Sequence, residues 1–173
     1  MRFALFALAF MVAATPAFAQ KPGDAAGIPD TVVGYHESDA RMNGAIAQAR
    51  ALLPLFWAEF RSTDAPGAFT IKAGLRTDDG GVEHIWVGDL RFEGERLIGN
   101  LVNEPYYMAG LHEGSRVEVA MEEISDWTIN TPDGVYGGFT TRVMLEDMPP
   151  AQAEQYRVGL RMTPHPAPSW WSQ

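Results

Sequence analysis

The chain has no cysteine. No disulfide can brace its fold, and no lipid can be attached at a cysteine behind an export signal, so stability has to come from packing. Basic residues are also scarce: 13 Lys and Arg stand against 22 Asp and Glu, a net charge of −9. A protein that grips phosphates needs a basic face. No segment gathers Lys and Arg into one, so neither nucleic acid nor an anionic membrane surface is an expected partner. The acidic surplus favours solubility, or a cationic partner if it collects on one face. The four histidines, at 36, 84, 112 and 165, lie on separate segments with no pair at ligand spacing, so neither a metal site nor a cofactor is expected. A Gly-x-Ser-x-Gly elbow and a phosphate-cradling glycine loop are missing too.

What is present begins with a leader. Met1 and Arg2 precede an apolar stretch from Phe3 to Ala14, and Ala17-Phe18-Ala19 places small residues at the first and third positions before a cut. That is the pattern of a cleavable signal peptide over residues 1–19, with cleavage after Ala19 and a periplasmic destination. Pro16 and the polar Gln20-Lys21-Pro22 stop the apolar run short of the roughly 20 residues that a membrane anchor needs. Residues 20–37 hold Gly, Pro and Ala without periodicity and read as a flexible tether. The remainder suffices for one domain, residues 38–161, that buries roughly 70 % of its unfolded-chain surface. A Pro- and Trp-rich tail, 162–173, follows.

Met42, Ala45, Ile46, Ala49, Leu52, Leu53, Phe56 and Phe60 recur at three- and four-residue spacing, which predicts a helix from Asp39 to about Phe60, capped by Ser38 or Asp39. Pro54 inside it predicts a kink or a restart. After Gly67 the period changes to two: Phe69, Ile71, Ala73 and Leu75 alternate with polar or small residues, as a half-buried strand does. Asp78-Asp79-Gly80-Gly81 predicts a hairpin turn into a second strand, Val82 to Phe92. A four-residue turn pairs Arg76 with Glu83, Leu75 with His84 and Ala73 with Trp86, which sets His84 and Trp86 on the apolar face and leaves Arg76 and Glu83 as an exposed pair. Gly94-Glu95 leads to a third strand with Phe92 opposite Leu97 and Glu93 opposite Arg96. Further strands are expected around Val117 to Met121, over Ile124 to Ile129, and from Val135 to Leu145, with a short helix from Pro149-Pro150 to about Leu160. The fold class is α+β: a curved, mainly antiparallel sheet of about four to six strands with one long N-terminal helix packed on it and a short C-terminal helix.

Chemistry is thinly signalled. Glu83 and His84 are strand neighbours and point to opposite faces, so they cannot serve one substrate as acid and base. His84, Asp126 and Arg142 are the candidate catalytic set if three strands bring them together, as an envelope hydrolase would require. Tyr106, Tyr107, Trp127, Trp170 and Trp171 are the candidate ligand or partner surface, because exposed aromatic clusters mark recognition sites; docking of the terminal tryptophans onto this same domain is the alternative. No constellation has catalytic geometry, so the preferred reading is a non-catalytic periplasmic binding or interaction module with a protein or envelope ligand. An immunity-type protein that neutralises a secreted toxin is a further alternative.

Several motifs agree in order with a known family. Met42-x-x-Ala45-Ile46-x-x-Ala49-Arg50 leading to Phe56, Lys72 on the first strand, Glu83-His84-Ile85-Trp86, Gly99-x-Leu101-x-Asn103-x-Pro105, Gly114-x-x-Val117, Ile124-x-Asp126-Trp127 and Gly138-x-x-Thr141-Arg142 resemble the YegJ-like family, a domain of unknown function in uncharacterised bacterial proteins. The likeness spans about Asp39 to Leu145. It implies no activity and carries over no catalytic residue.

Overall fold

The computed structural model describes residues 39–172. The signal-peptide and tether readings fall outside the described residues. Helix α1, Ala40–Ser62, starts where the Asp39 carboxylate accepts from the amides of Arg41 at 2.9 Å and Met42 at 3.1 Å, donors that no earlier helical turn can satisfy. It neither ends nor restarts at Pro54, and Ala45, Ala49, Phe56 and Trp57 are buried along it. Trp57 lies off the three-and-four stripe and still joins the core, because Phe92 from the sheet meets its ring at 5.3 Å between centroids.

Six strands follow: β1 Phe69–Arg76, β2 Val82–Glu93, β3 Arg96–Leu101, β4 Arg116–Val119, β5 Ile124–Thr131 and β6 Gly134–Gly137. They form one sheet in the order β4-β3-β2-β1-β5-β6, every neighbouring pair antiparallel. The architecture is α+β, as the periodicities predict, and β2 meets β3 with Phe92 opposite Leu97 and Glu93 opposite Arg96.

The β1–β2 register differs from the expected one by a residue. Arg76 pairs with Val82, Gly74 with His84 and Lys72 with Trp86. The turn takes five residues, Thr77 to Gly81: the Gly80 amide bonds back to the Thr77 carbonyl at 3.0 Å, and the Thr77 amide reaches the Gly81 carbonyl at 3.1 Å. Gly80 makes this possible at φ +86, a conformation that costs glycine little. Since strand side chains alternate, one extra turn residue moves every β2 side chain to the other face. His84 and Trp86 therefore lie on the face away from α1, while Glu83, Ile85 and Val87 point toward the core.

The expected final strand also stops early. β6 ends at Gly137, and Phe139–Glu146 forms helix α2. Gly137 and Gly138 take φ +82 and +65 in succession, which no strand accommodates. A Cβ on Gly137 would lie 2.1 Å from the Trp127 carbonyl oxygen, so only glycine passes here. Helix α3, Pro150–Gly159, opens on proline as expected. The tail then runs beside β6. The Val135 amide reaches the Arg161 carbonyl at 2.8 Å, the Thr163 amide the Val135 carbonyl at 3.1 Å, and the Gly137 amide the Pro166 carbonyl at 2.7 Å, which covers that sheet edge.

One face of the sheet carries Ile71, Ala73, Val87, Leu101 and Trp127 into the core with α1. The Trp127 indole N–H donates to the Ala49 carbonyl at 2.9 Å, and its ring meets Phe56 at 5.4 Å and Phe139, on α2, at 5.3 Å. Both α1 and α2 therefore gather on this side.

Candidate functional site

The other face is mostly polar, with Trp86 and Ile98 buried on it, and three rows cross it. In the first, Thr70 stands opposite Thr128 and Gly88 opposite Asn100. In the second, Lys72 stands between Trp86 and Asp126. In the third, Gly74 stands opposite His84, and an irregularity between Lys72 and Ala73 in the β1–β5 register lets Ser125 approach His84.

Lys72 centres the second row. Its Nζ lies 5.0 Å from the Trp86 ring centroid and 3.2 Å from Thr140 Oγ1. The Thr140 hydroxyl donates onward to Asp126 Oδ2 at 2.6 Å. Asp126 is wholly buried and also accepts from the amides of Trp127 at 2.8 Å, Phe139 at 3.1 Å and Thr140 at 2.8 Å. The last two open α2, whose own N-cap, Gly138, has no side chain to offer; Asp126 caps the helix from another strand. Burial holds the Lys72 ammonium below the usual lysine range, with the Asp126 charge pulling it partly back. Burial likewise pushes the Asp126 carboxyl up, against Lys72 and the Thr140 bonds.

His84 is exposed. Its Nδ1 lies 2.9 Å from Ser125 Oγ, and that hydroxyl lies 3.3 Å from the Lys72 carbonyl. Desolvation of the inner ring face, then the charges of Lys72 and Arg50, lower its pKa from the ordinary 6.5. Between that value and the lower folded one, the unfolded chain binds more protons, so stability is complete above 6.5 and declines as pH falls through it. Urea midpoints taken from about pH 8 to about pH 5 should fall, and His84→Gln should flatten that slope; an unchanged slope would remove His84 as its source.

Arg142 stays apart. It donates to the carbonyls of Gly137 at 2.9 Å and Thr163 at 2.8 Å, tying the tail to α2, and burial lowers its pKa. The candidate catalytic set is thus not assembled: His84 is open to solvent, Asp126 is sealed, and Arg142 is committed to backbone carbonyls. Among the described residues no three His, Asp or Glu side chains are grouped to hold a metal ion.

The aromatic candidates divide. Trp127, expected at a ligand surface, is instead core, because it sits on the helix-facing side of β5. Trp170 and Trp171 dock on the domain: both indole N–H groups donate to Glu59 Oε1, at 3.1 and 3.2 Å, with Trp171 on Trp127 and Trp170 on Tyr136. Tyr106 and Tyr107 are exposed at 58% and 57%. Their loop is held from beneath by Glu83, which is buried and not the exposed partner of Arg76 that the shorter turn implied. Its carboxylate accepts from the Tyr106 amide at 3.0 and 3.2 Å and from the Tyr107 amide at 3.0 Å. Glu83→Gln substitutes a donor for one of those acceptors and should cost about 1–2 kcal/mol. Faster hydrogen exchange at the Tyr106 and Tyr107 amides would report it; unaltered protection there would mean the loop is held otherwise.

Beside the first row lies a cavity of about 260 Å³, bordered by Thr70, Gly88, Asn100, Thr128 and Asn130. Asp89 stands on its rim at φ +49, where the β2–β3 register shifts between Gly88 and Arg91, and it accepts from Asn100 Nδ2 at 3.2 Å. A non-glycine residue held at positive φ on a bulge is the kind of local strain that collects at functional sites. Sequence reading named Lys72 only as a motif residue of the family resemblance and did not single out Thr140, Ser125 or Asp89 for the site. The one local signal was the lysine set among the small and apolar residues of Ile71-Lys72-Ala73-Gly74.

Comparison with known proteins agrees with the fold's extent. The sequence model of a family described as "Uncharacterized protein conserved in bacteria (DUF2314)" matches residues 39–162. The uncharacterized protein YegJ of Escherichia coli K12 is 31% identical over 133 residues, covering 77% of this chain and 86% of that protein. A putative ankyrin repeat protein of Neisseria meningitidis serogroup B is 34% identical over 128 residues, 69% of this chain and 51% of that protein, so the chain spans about half of that relative. No solved structure matches. The family match covers α1, the whole sheet, α2 and α3, so the chain belongs to the DUF2314 family of uncharacterized proteins conserved in bacteria.

Proposed function

We propose that this chain is an exported, non-catalytic binding module whose ligand site is the polar face of its sheet. The observation that carries this reading is the cavity of about 260 Å³ on that face, on the side opposite α1. An antiparallel sheet solvated on one side needs no concavity there. Here small side chains, Gly88, Thr70 and Thr128, sink the floor while Asn100 and Asn130 raise the walls. The dispersal of His84, Asp126 and Arg142 supports binding over hydrolysis. The leader over residues 1–19 supports a periplasmic setting.

Amide shifts of labelled protein titrated with a periplasmic extract test the site. The expected result is perturbation clustered on Thr70, Gly88, Thr128 and Asn130, abolished by Asn130→Trp, which places a bulky ring at the exposed rim. Perturbation confined to Tyr106 and Tyr107 would move the binding surface to the opposite end of the sheet. Mass spectrometry of protein from its native cells should find Gln20 as the first residue; a retained Met1 would defeat the export reading.

A further inference from the structure

Thr70 and Thr128 face each other across β1 and β5, only 9% and 7% exposed. Neither hydroxyl has a hydrogen-bond partner among the described residues, where no side-chain polar atom sealed from solvent goes without one, so both hydroxyls reach open space, and both residues border the cavity. The hydroxyls of Thr140 and Thr163 bond within the protein, as sealed hydroxyls do, whereas those of Thr70 and Thr128 are left to the space beside them. The Asn130 amide, on the opposite wall, is also unengaged, whereas the Asn100 amide is aimed by Asp89. Unmet hydroxyls and amides, each able to donate and to accept, converge on one small space.

Charge narrows the ligand. The cavity is bordered by two carboxylates, Asp89 and Glu113, and among the described residues by no Lys, Arg or His, so a phosphate or carboxylate ligand would meet repulsion with nothing to offset it. Position narrows it further. An extended peptide is recognised along a strand edge by main-chain ladders, and this cavity lies on the sheet face, across strands whose backbones are already paired. Size sets the scale: at about 30 Å³ per water, the space holds roughly nine waters, the room of one sugar-sized ring. Ala68, Val102 and Val135 add apolar patches for its C–H faces.

Resting on the binding-module reading above, we propose that the cavity takes a single neutral, hydroxyl-rich ring, a free sugar or one sugar unit of a glycan, held by Thr70, Thr128, Asn100 and Asn130. The unmatched hydroxyls are then kept for the ligand, and they contribute nothing to the fold.

The test uses the full mature chain. Glucose and N-acetylglucosamine are titrated as neutral probes, glucuronate and glucose 6-phosphate as anionic ones, with amide shifts read at Thr70, Gly88 and Thr128. A neutral ring should perturb these amides and the anionic forms should not. Thr128→Val and Thr70→Val should each weaken binding about tenfold while leaving the melting temperature unchanged or raised. A short N-acetylglucosamine oligomer that binds no more weakly than the monomer would assign the source to a glycan; one that is excluded would assign it to a free sugar. Tighter binding of the anionic probes would overturn the proposal, as would a lowered melting temperature in both valine variants, which would make the hydroxyls structural. If small amines or peptides perturb the same amides and neutral rings do not, the ligand class falls and the module reading stands. If nothing in this panel or in a periplasmic extract perturbs that face, both fall.

Discussion

Asp126→Ala should destabilise the protein by about 3–5 kcal/mol, the cost of breaking a buried charged network at one end, which is a large part of the 5–15 kcal/mol that a domain this size holds in reserve. The carboxylate accepts four hydrogen bonds and neutralises Lys72, so alanine orphans the first amides of α2 and leaves an ammonium facing only Thr140 and the Trp86 ring. Lys72→Met should cost less, because Asp126 keeps all four of its N–H and O–H donors. The double variant Lys72→Met with Asp126→Asn separates cap from charge. Once no ammonium remains, asparagine still offers one carbonyl oxygen to the helix end, so the pair should lose less than the two single changes summed. Urea unfolding of the parent, Asp126→Ala, Asp126→Asn, Lys72→Met and the double variant measures this. A strictly additive pair, or an alanine variant within about 1 kcal/mol of the parent, would mean that Asp126 neither caps α2 nor answers Lys72.

That network explains why the chemistry was hard to read from the chain while the fold was not. The stripe from Met42 to Phe60 and the alternation from Phe69 to Leu75 are local, and each fixes its element without knowledge of its neighbours. The pairing of Phe92 with Leu97 is set by the short turn between them, so it too is local. His84 and Trp86 depend on one turn residue more or less, and Asp78-Asp79-Gly80-Gly81 is compatible with either a four- or a five-residue loop. The Thr77 amide on the Gly81 carbonyl decides it, and the whole of β2 turns over with that decision. Gly137-Gly138 is ambiguous in the same way: a strand can absorb a glycine pair, and only Asp126, eleven residues before Gly137 in sequence, holds Phe139 and Thr140 as the start of a helix. Lys72 and Thr140 come together from residues 68 apart, and no spacing rule reaches that far. What the structure adds to the candidate site is therefore nearly all non-local: a half-buried lysine, its relay through Thr140, and two threonines made neighbours by strand pairing.

Ending the chain after Pro168 should cost about 3 kcal/mol, near the low end of the range for removing a large aromatic side chain from a core. Trp171 covers the ring of Trp127 at 5.3 Å between centroids and Trp170 meets Tyr136 edge-on at 5.2 Å, so the truncation uncovers apolar surface on the centre of the core and on β6 together. It also leaves Glu59 without its two indole donors, but Glu59 is on the helix surface, where water replaces them; Glu59→Ala alone should cost no more than about 1 kcal/mol. The order of effects should be truncation first, then Trp171→Ala, then Trp170→Ala, whose ring is 41% exposed. Trp127 fluorescence should shift to the red in the truncated chain as solvent reaches the indole. The measurement bears on function as well as stability. A tail kept for partners would leave melting temperature and Trp127 emission unchanged when removed, whereas a strap that closes the core lowers the first and shifts the second, and then the sheet's polar face is the place left to look for a ligand.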